Sequence, residues 1–289
     1  MSTVEEKLVA VREDLAARDG VLVAFSGGVD SSVVAALAYD ALGDDAVACT
    51  AMSETLPAEE LVDAERVADE IGIRHELVTF SELDSDDFIQ NDDDRCYHCR
   101  TMRLGRMFEK ARELGIEIVC DGTNASDPGG HRPGLRAVEE LNAYSPLLEH
   151  GIDKEDVRAI ADEYGLSVAD KPSMACLSSR IPTGLPVTEE KLTRIERAEQ
   201  LLRTWGFRQF RVRDHEGLAR MEVGADELDR ALDSDFAAAA REHLTDLGFD
   251  HVTLDLSGYR TGSVSPEGED PTDGEPLVEN VFDVEYPSG

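Results

Sequence analysis

The sequence predicts an α/β protein with a doubly wound, mostly parallel sheet and a smaller C-terminal α+β domain. Three observations carry this. Through residues 1–165, short apolar runs alternate with amphipathic helical periodicities, the signature of strands crossing over through helices into a parallel sheet. The first apolar run ends in the glycine turn SGGVDSS, and doubly wound folds bind ligands at the carboxyl ends of their strands. Near Pro186 the texture changes to a helix, two closely spaced strands, a helix and a strand.

The elements follow in order. Residues 4–15 carry apolar positions at helical spacing, and GVLVAFSGG reads as a buried strand running into a glycine turn. A helix over 31–42 leads to the strand AVACTAM, the helix AEELVDAERVADEIG and the strand RHELVTF. The helix RTMRLGRMFEKARELG, expected from Arg100, then precedes the strand EIVCDGT. KEDVRAIADEYG is helical, and LSVADKPSMACLSSRIPTG is a loop rich in Ser and Pro. After it come the helix TEEKLTRIERAEQLLRTWG, the strands QFRVRDH and LARMEVG, the helix AAAAREHLTDLG and the strand HVTLDLSG. The expected domains are therefore 1–185 and 186–261, with a flexible acidic tail at 262–289, where SPEGEDPTDGEP lacks the apolar content to pack.

Composition narrows the class. A chain of 289 residues buries roughly 75% of its unfolded surface and needs no disulfide or metal to hold a core. Acids outnumber bases 62 to 28, for a formal charge of −34, and they are spread along the whole chain. Such a surface repels polyanions, so no stable nucleic-acid partner is expected. The same excess suits a halophilic, high-salt cytoplasm where self-repulsion is screened. No apolar run is long enough to span a bilayer, and the N-terminus is an acidic amphipathic helix. A cytoplasmic protein is expected. In that reducing compartment its five cysteines are not structural disulfides, and a CxxC points to metal or redox chemistry.

In the glycine loop, Gly27 and Gly28 let backbone N–H groups turn around an anion, and Val29 follows them within the motif, ahead of the helix whose positive end faces the same anion. Ser26, Ser31 and Ser32 supply hydroxyls. Asp30 beside phosphates implies a bridging Mg²⁺. The motif resembles the pyrophosphate-binding loop of the PP-loop ATP pyrophosphatases, which adenylate a substrate and release pyrophosphate. The absence of a loop lysine separates it from Walker-type kinases. The resemblance implies that Thr50 to Ser53, including Met52, touch the adenosine of ATP, and that DGTN with Gly122 faces the nucleotide.

The cysteines direct the substrate assignment. Cys96 and Cys99 have metal-ligand spacing, with Tyr97 and His98 between them, and Cys176 lies in the Ser- and Pro-rich loop. Cys49 and Cys120 fall inside apolar strands, where free cysteine behaves as a small hydrophobe. These segments, with RPGLR and RVRDHEGLARMEV, resemble the LarE family of ATP-dependent sulfur transferases from the N-terminal helix to about Gly262. The resemblance implies adenylation of a carboxylate of a pyridinium dicarboxylate mononucleotide, followed by displacement of AMP by sulfur to give a thiocarboxylate in nickel-pincer cofactor synthesis. In the single-cysteine branch a cysteine matching Cys176 is sacrificed. The added CxxC matches the branch in which Cys96, Cys99 and Cys176 would hold a [4Fe–4S] cluster. Three thiolates leave one iron open to hydrosulfide. A zinc or dithiol site and a lone sacrificial Cys176 stand as alternatives.

Arg132, Arg136, Arg180, Arg211 and Arg213 supply fork-shaped donors for a substrate bearing a phosphate and carboxylates. Arg211 and Arg213 share one face of a strand, and the resemblance places them and Glu199 in the substrate-phosphate region, with a homo-oligomeric assembly. The rival functions are a PP-loop tRNA thiolase, an amide-forming synthetase, and a nucleotide-binding module with a zinc clip. The −34 charge speaks against tRNA.

Overall fold

The computed structural model describes residues 3–127, 133–171 and 174–259; Arg132 and the 262–289 tail lie outside them. The chain opens with α1 (Val4–Ala16), capped by a reciprocal Thr3–Glu6 box. It continues through β1 (Val21–Ala24), α2 (Val29–Leu42), β2 (Ala46–Met52), α3 (Ala58–Ile71) and β3 (Arg74–Thr79). Next come α4 (Asp86–Ile89), α5 (Arg95–Glu113), β4 (Ile118–Cys120), α6 (Pro133–Glu140), α7 (Pro146–Glu149) and α8 (Lys154–Glu163).

The four strands are all parallel, in the order β3-β2-β1-β4. Successive residues of β1 feed different cores, as a sheet covered on both faces requires. Val21 and Val23 join Ala46, Ala48 and Cys120 against α1, α2 and α8. Leu22 joins Cys49 and Val119 against Leu104, Met107 and Ala111 of α5. Cys49 and Cys120 are thus core residues, and burial pushes each thiol up to about 12, which leaves them inert. Because β2 lies on one side of β1 and β4 on the other, a crevice opens between the ends of β1 and β4, the switch point where such sheets bind ligands.

Beyond the sheet, α9 (Glu189–Thr204), β5 (Phe210–His215), β6 (Leu218–Val223), α10 (Leu228–Ala231), α11 (Ser234–Asp246) and β7 (His251–Leu254) surround their own core of Phe207, Phe210, Phe236 and Phe249. The β5–β6 hairpin turns at Glu216 and Gly217, both at positive φ, as a two-residue primed turn demands. β7 adds in parallel to β6. A further cluster of Phe88, Leu177, Ile181, Val187, Leu192 and Ile195 pins α4, the Cys176 loop and α9 together, each fully buried aliphatic contributing about 1.5–3 kcal/mol.

One expectation needs correction. The fifth helix starts at Arg95, not Arg100, so the CxxC occupies its first turns instead of a preceding loop. The acids before it explain why, since negative charge stabilises the positive helix end. Residues Pro133–Glu140, to which the sequence reading assigned no element, form α6.

Candidate active site

The loop after β1 is held in shape by its own residues. Gly27 has φ +69, and a Cβ there would stand 2.7 Å from the Ala64 Cα of α3, so only glycine fits. Ser31 Oγ donates to the Gly28 carbonyl (3.0 Å) and accepts from Ser26 N–H (3.2 Å), while Ser32 Oγ also donates to Gly28 (2.9 Å). Val29 is buried beneath them at the first turn of α2. Gly122, at the end of β4, lets that loop approach closely, since a Cβ would come within 3.0 Å of Ser31 N. Asp30 accepts from Asn124 Nδ2 (2.9 Å) and pairs with Lys154 Nζ (2.5 Å) at the start of α8.

Between these loops lies a cavity of about 500 Å³ lined by Phe25, Ser26, Gly28, Thr50, Asp121 and Gly122, among others, within the range of small-ligand sites. Met52 ends β2 beside the lining residues Thr50 and Ala51. Asp121 is fully buried and anchors the floor, accepting from Thr123, Ser145 and Arg100.

Cys96, Cys99, Arg100 and Arg103 recur at i, i+3, i+4 and i+7 along α5, the spacing of one helix face. Cys96 and Arg103 reach the large cavity. Arg103 also reaches a second cavity of about 190 Å³, lined by Ser26, Asp30, Lys154, Arg158, Lys171 and Cys176, among others. Two of the chain's five lysines thus line it. Cys99 Sγ lies 3.5 Å from Glu82 Oε1 and 3.5 Å from Arg103 Nη2. Burial pushes the Cys99 thiol up to about 12, with Arg103 opposing it. Burial also opposes ionisation of Cys176. There the charge of Arg95, a hydrogen bond with Ser178 and the charges of Arg103 and Arg180 prevail, and the thiol falls below its ordinary value. Cys176 is therefore the better nucleophile of the two.

Helix α9 and strand β5 grip the Cys176 loop. Arg180, fully buried, forms a two-pronged pair with Glu199 (2.8 and 2.9 Å) and bonds the Cys176 carbonyl (3.0 Å). Arg213 pairs with Glu222 and donates to the Ser179 carbonyl (3.0 Å). Arg211 differs from both: among the described residues it has no carboxylate ion pair, bonding only the Phe210 carbonyl and Met174 Sδ. Burial and then the neighbouring charge of Arg180 lower its pKa, outweighing the opposing pull of Glu199. Arg136 stacks 3.8 Å over the Tyr97 ring and pairs with Asp94 (3.3 Å). It sits apart from the other three, on α6.

Among the described residues, no three His, Cys, Asp or Glu side chains stand close enough to share one metal ion. A zinc clip, whose tetrahedral sulfurs sit roughly 3.8 Å apart from 2.3 Å bonds, therefore has no ready-made site. A cluster spaces its ligands wider, because a cube of iron and sulfide stands between them. The thiols of Cys96 and Cys176 line the two adjoining cavities and Cys99 lies behind them against Arg103; three thiols with Arg95 and Arg103 beside them suit that group in donor type and in charge.

Sequence reasoning missed Glu82, Arg95, Arg100, Arg103, Lys154, Arg158 and Lys171. The α5 residues carried a signal, the i, i+3, i+4, i+7 recurrence, which becomes visible once the helix is begun at Arg95. Glu82 carried none, since a fully buried carboxylate is indistinguishable in sequence from the many surface acids.

Comparison with known proteins bears on these residues. A family model described as asparagine synthase matches residues 4–112. Pyridinium-3,5-bisthiocarboxylic acid mononucleotide synthase of Lactiplantibacillus plantarum is 37% identical over 269 residues, spanning 92% of this chain and 95% of that protein. An uncharacterised protein of a Synechocystis strain is 42% identical over 261 residues, spanning 90% of this chain and 97% of that protein. The tRNA-specific 2-thiouridylase MnmA of Azorhizobium caulinodans is 32% identical over 189 residues, which is 53% of this chain and 48% of that protein.

Proposed function

This chain belongs to the LarE family of PP-loop sulfur transferases, and from that premise we infer how its two cavities divide the reaction. It is an ATP-dependent enzyme that transfers sulfur in nickel-pincer cofactor synthesis. The observation that carries the division of labour is the shared wall: Ser26, Gly28, Asp30, Leu56 and Arg103 line both cavities, so a group activated in one is presented directly to the other.

ATP occupies the larger cavity, its adenosine beside Thr50 to Met52 and its phosphates on the glycine loop. A carboxylate of the pyridinium dicarboxylate mononucleotide attacks the α-phosphorus, and pyrophosphate departs into the N–H groups of the loop and the positive end of α2. Asp30 is suited to Mg²⁺ once Lys154 swings aside, the metal supplying charge neutralisation for the phosphates. The substrate's own phosphate lies by Arg211, which among the described residues has no carboxylate ion pair, while Arg180 and Arg213 with Glu199 fix the loop that presents Cys176. Arg132 and Arg136 complete the donor set from the other side. Sulfur then displaces AMP. A [4Fe–4S] cluster on Cys96, Cys99 and Cys176, when bound, would supply an iron with a free position for hydrosulfide. The acid excess fits a high-salt cytoplasm, and the resemblance implies a homo-oligomeric assembly.

The test is ATP–pyrophosphate exchange by the purified protein with Mg²⁺. Exchange that requires the pyridinium dicarboxylate mononucleotide supports the reading. Tight ATP binding without exchange on this substrate sinks it. Exchange stimulated by tRNA instead would favour the thiolase, whose MnmA likeness stops at about half of each chain.

A further inference from the structure

Arg103 is, among the described residues, the one cationic side chain that lines both cavities. Its orientation is fixed from behind. Glu82, fully buried, lies 3.7 Å from the guanidinium and accepts from Thr55 Oγ1 (2.9 Å), and the Thr55 carbonyl in turn accepts the Leu177 N–H beside Cys176 (2.9 Å). One guanidinium nitrogen lies 3.5 Å from Cys99 Sγ. Nε is buried and has no partner, although a guanidinium carries five N–H donors and a buried one left unused is costly. The side chain is therefore held at the boundary of the two cavities by the groups behind it.

That boundary is where an acyl adenylate from the larger cavity must meet sulfur from the smaller. We propose that Arg103 is a catalytic residue of the sulfur-transfer half-reaction, stabilising the negative charge that forms on the attacked carbonyl oxygen and on the departing AMP phosphate. The proposal rests on the adenylation reading above. In the step, a lone pair of hydrosulfide forms the C–S bond and the carbonyl π pair moves to oxygen. Collapse of that oxyanion breaks the bond to the phosphoryl oxygen, and AMP leaves with the pair as a dianion. The thiocarboxylic acid formed keeps the sulfur-bound proton and loses it to water. Two negative charges thus grow within reach of one fixed cation in a chain of formal charge −34, and pre-oriented donors of this kind contribute about 10²–10³ in rate.

The experiment compares the full-length wild type with Arg103→Gln and Arg103→Lys, each given ATP, Mg²⁺, pyridinium dicarboxylate mononucleotide and sodium sulfide. Substrate-dependent ATP–pyrophosphate exchange reads adenylation, and thiocarboxylate yield reads transfer. Hydroxylamine traps the waiting acyl adenylate as a hydroxamate. In Arg103→Gln, transfer is expected to fall about 10²–10³-fold, at least tenfold more than exchange, with hydroxamate rising; Arg103→Lys recovers part of the loss. Equal losses in both half-reactions, or no loss in either, overturn the proposal. Loss of Cys99 placement alone would lower transfer in both variants alike, without recovery by lysine, and would also overturn it. Absence of exchange in the wild type is a different failure, which removes the adenylation reading itself.

Discussion

At the residue scale, ionisable groups are set by burial first and by neighbours second. His75 shows both: its Nε2 lies 2.8 Å from Thr50 Oγ1, beside the end of β1, and burial holds its pKa below the ordinary 6.5 despite Glu65, Asp69 and Glu76. His215 is lowered in the same direction, by burial and then by Arg220 and Arg213. An unfolded chain therefore binds protons that the folded one refuses, and stability falls as pH drops through about 6.5 toward the lowered values. Urea midpoints between pH 7.5 and 5.5, values of about the range where histidine titrates, should decline, and His75→Gln should flatten the slope. A slope unchanged in that variant would remove His75 as a source. The same scale marks the limit of sequence: Asp30 was legible as a carboxylate beside the glycine loop, but its pairing with Lys154, 124 residues away, was not.

At the scale of elements, local pattern was a good guide wherever one strand or helix decides its own extent. AVACTAM forms β2 from Ala46 to Met52, because a strand covered on both faces of a parallel sheet reads as a near-continuous apolar run. The α5 start was misplaced because the CxxC reads as a ligand loop, whereas the chain uses its spacing to put two thiols and two arginines on one helix face. The arginine set was legible as a set of donors, but not its division. Arg180 and Arg213 have buried carboxylates supplied by Glu199 and Glu222, and Arg211 has none among the described residues. Glu199 also accepts from Val212 N–H (3.1 Å), so it couples α9, β5 and the Cys176 loop. Glu199→Ala leaves Arg180 buried without its partner and should cost about 3–5 kcal/mol in chemical denaturation. A loss under about 1 kcal/mol would mean that water replaces the carboxylate and that the grip on the loop is weak.

At the scale of the whole molecule, a charge of −34 opposes compaction, and the cationic side chains that line the cavities stand out against it. Raising KCl from about 0.1 to about 1 M shortens the screening length from about 10 to about 3 Å, so the melting temperature should rise with salt; a fall would show that ion pairs outweigh the repulsion. The smaller C-terminal sheet was legible in the change of texture near Pro186, while the placement of Cys96 and Cys176 on adjoining cavities required tertiary structure, since some 80 residues separate the CxxC from Cys176. The central claim, that carboxylate activation and sulfur delivery meet across one shared wall, is tested most directly by mass spectrometry of the product formed from ATP, the pyridinium dicarboxylate mononucleotide and isotopically labelled sulfide. The expected result is a thiocarboxylate carrying the label, with AMP and pyrophosphate formed in equal amounts; AMP formation with the carboxylate recovered free of sulfur would contradict it.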